Sequence, residues 1–298
     1  MSDTYSWAYS YYPGCSQTAT NRAYDISTRS VARALRIGMS ELDDWNCCGA
    51  TAYMPIREKR SFVLSARNLA IAEKQGQGRD LATICNACYV VLRKTNKYIA
   101  EDPKLHDEIR RALQAGGMDY NGTVRVRHFL DILVNDLGEE AVKRHIKRDL
   151  SGVKVACYSG CQLSRPFDDL DDPEYPEIME RLFDWLGAEI VDFPMSAKCC
   201  GGLAMTTRPE TGQVLTGKIL KVAKERGADC VATACPLCQI NLEAYQSKVG
   251  AAVGADCDIP VLYFTQLMGS ALGLGSNELA LKDCLTPVEA LLAEKVGS

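Results

Sequence analysis

The chain has 298 residues, 47% hydrophobic and 24% charged, with a net charge of -4 and a pI of about 5.6. That is room for two modest domains or one large one, and it argues against a long unpacked linker, a global basic field for nucleic acid and, with no apolar run approaching about 20 residues, a membrane-spanning helix. Met1 to Trp7 lacks the basic and apolar segments of a secretory signal, so a soluble cytoplasmic protein is expected, and there fourteen cysteines point to metal or redox chemistry rather than disulfides.

An apolar and aromatic run, Ser6 to Tyr12, reads as a strand that turns at Pro13-Gly14 into Cys15. Ile26, Val31, Ala34 and Leu35 mark one face of a helix from Thr18 to Leu35, stopped by Gly38. Glu41 to Trp45 is a short strand candidate that delivers Cys47-Cys48-Gly49. A helix over Arg60 to Gln75 and a strand over Asp80 to Ile84 follow, the strand ending at Cys85-Asn86-Ala87-Cys88. A helix then runs from Tyr89 to Ile99. Next comes a helical insert without cysteine, Pro103 to Ala115 and His128 to Ile146. It carries all three histidines, His106, His128 and His145, away from any motif, so they read as surface or core residues. Its cations, Arg125, Arg127, Lys143, Arg144, Lys147 and Arg148, read first as a solvated helix surface and second as a docking face.

The programme then restarts. Val153 to Ala156 is a strand leading to Cys157 and Cys161, Pro176 to Leu186 a helix, and Ala188 to Phe193 a strand ending at Cys199-Cys200-Gly201-Gly202. A helix over Thr211 to Arg226, a strand over Asp229 to Thr233 and Cys235-Pro236-Leu237-Cys238 follow. Helix Gln239 to Val249, strand Ile259 to Phe264, helix Gln266 to Leu272 and a peripheral helical remainder complete the chain. Strands alternating with helices predict parallel βαβ units. The expected architecture is α/β, with two similar cysteine-rich domains, residues 1–150 and 151–298, each a small parallel sheet flanked by helices and related by internal duplication. The cysteines fall just after strands, where ligands sit in open α/β sheets. The acidic loop Asp168 to Asp172 lacks the glycine and terminal glutamate of a calcium loop and reads as solvated.

In the first half, 31 residues lie between Cys15 and Cys47 and 36 between Cys48 and Cys85; in the second, 37 lie between Cys161 and Cys199 and 34 between Cys200 and Cys235. Each lone cysteine follows a glycine and each adjacent pair precedes one. Thiolates select iron–sulfur clusters, zinc or Cu(I). A structural zinc takes four ligands, usually from two separated knuckles, whereas each half offers five cysteines and one knuckle. Five thiolates with an adjacent pair suit a multi-iron cluster, and Gly49, Gly201 and Gly202 let the backbone bend close to it. A metal-free redox Cys-x-x-Cys leaves the adjacent pairs unexplained. Cys157, Cys230, Cys257 and Cys284 read as core filling, although Cys157 competes with Cys161 for the lone position. Ser159-Gly160-Cys161 parallels Pro13-Gly14-Cys15 and favours Cys161. Arg165 could pair with an anionic substrate but reads as a surface arginine.

The pattern Cys15…Cys47-Cys48-Gly49…Cys85-x-x-Cys88, repeated as Cys161…Cys199-Cys200-Gly201…Cys235-x-x-Cys238, resembles the duplicated cysteine-rich CCG domain of the heterodisulfide reductase B-subunit family, over nearly the whole length. The resemblance implies that these ten cysteines are the metal ligands, that each five-cysteine set carries a non-cubane [4Fe–4S] cluster, and that the clusters, rather than a protein side chain, are the catalysts. It implies a disulfide substrate, small or protein-bound, cleaved or formed between two clusters facing one cleft. Family members that carry their own ferredoxin motifs have further closely spaced cysteines. None follows Cys88 or Cys238 here, so the expected partners are the two other components of such a complex, its ferredoxin-like C subunit and its flavin-bearing A subunit. The competing reading is an electron-transfer subunit of a dehydrogenase complex with no substrate of its own.

Overall fold

The computed structural model describes residues 7–51 and 53–296; Ser6 and the first residues weighed above as a signal lie outside them. The described strands form two parallel sheets. The first contains β1 (Trp7–Tyr12), β2 (Ile37–Glu41), β3 (Leu81–Thr83) and β4 (Val126–His128), in the order β2-β1-β3-β4. The second contains β5 (Lys154–Tyr158), β6 (Glu189–Ile190), β7 (Cys230–Thr233) and β8 (Val261–Tyr263), in the order β6-β5-β7-β8. The orders are the same, so the α/β architecture is internally duplicated. In each sheet the chain starts at an interior strand, steps to one edge and crosses back, leaving a crevice where the order reverses. Helices cover both faces, so the strands are buried throughout their centres: Tyr11, Leu81, Ala82, Val155, Ala156 and Val231 are all fully buried.

The halves share one core. Its largest cluster joins Tyr24, Phe129 and Leu133 to Phe183, Phe264 and Leu267. Tyr24 stacks on Tyr263 with ring centroids 4.0 Å apart and planes at 5°, an arrangement that adds to the area both rings bury.

Several element boundaries differ from the sequence reading. The first helix spans Arg22–Ala34, and Arg36, in the left-handed region at φ 57°, makes the reversal expected of Gly38. Gly38 instead lies inside β2, which precedes Glu41 to Trp45 because Leu35 and Ile37 are the buried residues there. The helix expected from His128 begins with a strand, β4, and continues as three short helical pieces, Phe129–Asp131, Ile132–Leu137 and Gly138–Lys143. Helix Gln239 to Val249 is two helices, Pro236–Ala244 and Gln246–Val253. The C-terminal stretch is not peripheral: Leu279, Leu281, Val288 and Leu292 are buried in the shared core.

Of the insert's cations Arg125, Lys143, Arg144, Lys147 and Arg148 are exposed, as a solvated surface requires, and Arg127 is not. Arg127 is 5% exposed, paired with Asp131 and lying 2.9 Å from Asp136 and 3.4 Å from Asp80. Lys143 pairs with Glu139 at 2.6 Å. Removing one partner of a buried ionic group strands the others. Arg127→Ala is expected to cost about 3–5 kcal/mol, read as a fall in the urea midpoint without a change of slope.

Candidate metal centre at the strand ends

The carboxyl ends of the first three strands of each half deliver the cysteines. After β1, Pro13-Gly14 turns the chain into Cys15, which opens a short 3-10 turn, Cys15–Thr18. The loop after β2 carries Cys47 and Cys48. After β3, Cys85 is the N-cap of helix Asn86–Glu101, so Cys88 falls in its first turn. In the second half Cys161 follows β5, Cys199 and Cys200 follow β6, and Cys235 caps helix Pro236–Ala244 with Cys238 in its first turn.

The thiols meet. Cys15 Sγ lies 3.4 Å from Cys47 Sγ, Cys48 Sγ 3.3 Å from Cys88 Sγ, and Cys200 Sγ 3.5 Å from Cys238 Sγ. The Cys161 thiol acts on that of Cys199, and the Cys85 thiol on that of Cys235 across the two halves, strongly enough to shift their pKa values. The two sets therefore adjoin directly. The structure brings Cys161, not Cys157, to Cys199; Cys157 and Cys230 are fully buried within the second sheet, and Cys257 is buried as well. Among the described residues no three His, Cys, Asp or Glu side chains close on a single-ion position; the thiols approach as pairs.

The framework of each set is the same. Gly14 (φ +89°) and Gly160 (φ +71°) precede the lone cysteines, and a Cβ there would come within 3.2 Å of Cys88 Sγ or 3.3 Å of Cys238 Sγ. Both need glycine for conformation and for space. Tyr12 Oη donates to the Asn46 carbonyl at 2.9 Å, and Tyr158 Oη to the Lys198 carbonyl at 2.6 Å. Each tyrosine thus pins the residue before an adjacent cysteine pair. The Cys48 carbonyl accepts from Ser61 and Ser65, and the Cys200 carbonyl from Thr216. The sets are also tied to each other: Asn86 Nδ2 donates to the Ser159 carbonyl at 2.7 Å, and Asn21 Nδ2 to the Pro236 carbonyl at 3.3 Å.

So many thiols in contact cannot all ionise unaided. A hydrogen bond from Cys15 leads the effects that hold the Cys47 thiol far below its usual range, while that shared proton and burial push Cys15 up. Cys199 is lowered to about 6, chiefly by the bond from Cys161, with the Arg165 guanidinium adding to the effect. Arg165, exposed as expected, donates to the Ala197 carbonyl. A cationic metal centre removes this conflict by taking the thiols as thiolates. All five cysteines of the first set line one cavity of about 230 Å³, which also reaches Leu203, Pro236, Leu237 and Ile240 of the second half. The donor chemistry and the shared cavity fit a multi-iron cluster. Cys15 and Cys199 are the exposed members; Cys48, Cys85, Cys88, Cys200, Cys235 and Cys238 are buried.

Two residues near the sets gave no signal in the sequence. His128, expected to lie away from the motifs, is fully buried; its Nδ1 accepts from the Leu130 amide at 3.2 Å, and its ring interacts with the backbone of Ile84 and Ala234, just before Cys85 and Cys235. Burial pushes its pKa down to about 4. Gln17, two residues after Cys15, lines the cavity. The acidic loop is used structurally: Asp169 pairs with Arg93 at 2.7 Å, and Asp171 accepts from the Ile178 amide.

A model of the cysteine-rich CCG domain matches the chain at residues 9–93 and 155–243. The chain is 32% identical over 275 residues to the 8-methylmenaquinol:fumarate reductase membrane anchor subunit of Wolinella succinogenes, covering 92% of this chain and 95% of that one. It is 31% identical over 279 residues to the B subunit of a ferredoxin/F420H2-dependent CoB–CoM heterodisulfide reductase of Methanosarcina acetivorans, covering 92% of each. It is 30% identical over 291 residues to a heterodisulfide reductase B-subunit-like protein of Archaeoglobus profundus, covering 95% and 96%. A crystal structure of a hypothetical protein from Helicobacter pylori superposes with a TM-score of 0.77 at 13% identity, over 96% of this chain and 53% of that one; that likeness concerns the fold alone.

Tyr12→Phe and Tyr158→Phe each leave one carbonyl beside a cysteine pair without its donor. Each is expected to cost about 1–2 kcal/mol, measured by chemical denaturation, and the two losses should agree because the bonds are equivalent.

Proposed function

This chain belongs to the heterodisulfide reductase B-subunit family of duplicated cysteine-rich CCG domains, and we propose that it is the iron–sulfur subunit of a multi-subunit oxidoreductase. In this reading Cys15, Cys47, Cys48, Cys85 and Cys88 hold one [4Fe–4S] cluster, and Cys161, Cys199, Cys200, Cys235 and Cys238 hold a second. Both are of the non-cubane kind, and the substrate is a disulfide that is reduced or formed. The domains carrying them are residues 1–150 and 151–298. The observation that supports this most is the recurrence of one five-thiol set at equivalent strand ends, the two copies touching at Cys85 and Cys235.

When bound, the clusters would supply one-electron redox chemistry and soft iron with affinity for sulfur. The chain's own residues do the rest. The buried cysteines keep each site shielded, while Cys15 and Cys199 face solvent. The Cys85–Cys235 contact keeps the sites side by side. Asn86 and Asn21 fix their spacing through backbone carbonyls of the opposite half. Electrons would enter from partner proteins, one ferredoxin-like and one flavin-bearing. Among the described residues no helix is long and apolar enough to cross a membrane.

The Wolinella succinogenes relative favours a second reading, an electron-carrying subunit of a dehydrogenase or reductase complex with no substrate of its own. Turnover of a disulfide by the cluster-loaded chain with an artificial electron donor separates the two: turnover supports the first, and intact clusters without turnover support the second.

Anaerobically purified protein is expected to contain about eight iron and about eight acid-labile sulfide per chain; zinc without sulfide would sink both redox readings. Cys161→Ser is expected to lower the iron content by disrupting one cluster, while Cys157→Ser leaves it unchanged. The reverse result would reassign the lone ligand.

A further inference from the structure

Among the described residues Asp131 and Glu243 are the buried acids. Asp131 pairs with Arg127, whereas Glu243, 6% exposed, is held by amides alone. Its Oε1 accepts from the Leu285 amide at 2.8 Å and from the Thr286 amide at 3.1 Å, and its Oε2 accepts from Gln239 Nε2. A carboxyl buried without a counter-ion is rare and costly, and such groups gather where protons are exchanged. At the same distance after Cys88 the first half has Arg93, which pairs with Asp169 and lines a separate cleft of about 780 Å³. The acid is therefore no requirement of the duplicated frame.

Glu243 lines a cavity of about 250 Å³ that contains no cysteine of either set. Its polar walls include Thr20, Asn21, Gln239 and Gln266, and its other ionisable groups are Tyr263, Asp283 and Cys284. Thr20, Asn21 and Ile240 also line the cavity of the first cysteine set, so the two spaces adjoin. On its other side Glu243 lines a cleft of about 510 Å³ with Asp256, Cys257 and Asp258; Asp256 is paired with Lys224. No lysine, arginine or histidine lines either space. From Glu243 the hydrogen bonds lead inward: Gln239 Oε1 accepts from Asn21 Nδ2 and from Tyr263 Oη at 3.3 Å each, and Asn21 Nδ2 donates to the Pro236 carbonyl between Cys235 and Cys238. Thr20 and Asp283 are exposed, so the cavity opens to solvent. A polar space of this size holds several waters at about 30 Å³ each.

Reducing a disulfide breaks its S–S bond and takes up two electrons and two protons: R–S–S–R + 2e⁻ + 2H⁺ gives 2 R–SH. The electrons come from the partner carriers. Around the first set, apart from the cysteines, which the proposed clusters would hold as thiolates, the wall offers no acid. We infer that Glu243 passes protons between solvent and the substrate sulfurs at the two cysteine sets, acting through the water of its cavity and touching neither substrate nor metal. This rests on the proposed disulfide chemistry, and both sets take part in it. The Gln239 carboxamide can turn its nitrogen to the ionised Oε2 or its oxygen to the protonated one, so the pair suits both states. Burial pushes the Glu243 carboxyl above its usual range, against the pull of the Thr286 and Leu285 amides and Gln239. The acid form gives the proton, so reduction slows as pH rises through that pKa.

The test uses the full chain, purified anaerobically, shown by iron and sulfide analysis to carry its clusters, and reducing 2-hydroxyethyl disulfide with an artificial electron donor. Glu243→Gln is expected to lower kcat about 100-fold with KM unchanged, to remove the fall in rate at high pH, and to regain activity when acetic acid is added as an external proton donor. The infrared spectrum of the wild-type chain should show a protonated-carboxyl band that shifts in D2O and is missing from Glu243→Gln. Should that variant fail to keep its clusters, Thr20→Val carries the test: it removes an exposed hydroxyl where the two cavities meet and should slow turnover about tenfold at unchanged iron content. An unchanged rate in either variant, a loss of equal size at every pH that acetic acid does not restore, or absence of the infrared band would overturn the inference and leave the cluster assignment standing. A wild-type chain with intact clusters and no turnover would instead overturn the disulfide reading on which it rests.

Discussion

Ten thiols cannot share one crowded region as thiolates without positive charge among them, and nearly every local feature answers to that constraint. Five are gathered where each sheet reverses its strand order, because the carboxyl ends of strands one, two and three lie side by side there. The glycines before the lone cysteines clear room for the sulfur of the closing knuckle. The tyrosines at the ends of β1 and β5 anchor the carbonyls before the adjacent pairs. Without metal, the thiols divide protons between donors and acceptors, so neighbouring groups move in opposite directions. In the proposed assignment a cationic cluster would replace that division with coordination.

Duplication alone does not explain why the sets adjoin. The halves are joined by a common apolar core, by the stacked pair Tyr24 and Tyr263, and by hydrogen bonds that the first half donates to the cysteine turns of the second. Tyr24 Oη reaches the carbonyl of Ala234, and His128 lies between the strand ends that precede Cys85 and Cys235. Ordering one set therefore helps to order the other, which would suit the proposed pair of electron-carrying sites.

The relatives divide between heterodisulfide reductase subunits and a fumarate reductase subunit at nearly the same identity. A scaffold that holds metal with thiols and leaves the cavity wall to other residues accommodates such divergence. Leu203, Leu237 and Ile240 line the cavity and bind no metal in the proposed assignment.

How much was legible from the residues follows from what each signal depends on. Strand–helix alternation and thiol spacing are written along the chain, so the α/β class, the duplication and nine of the ten recurring cysteines follow from the residues alone. Helix Pro103–Ala115 was readable to the residue because Asp102 caps it and proline opens it. β4 was not, because Val126–His128 is too short to show periodicity and becomes a strand only by pairing with β3. Two further points needed the folded chain: that Cys161 rather than Cys157 meets Cys199, and that Cys85 meets Cys235. Spacing sets how often a thiol recurs along the chain, but which face of a strand it leaves from, and what packs opposite, is settled by burial against residues far away in sequence.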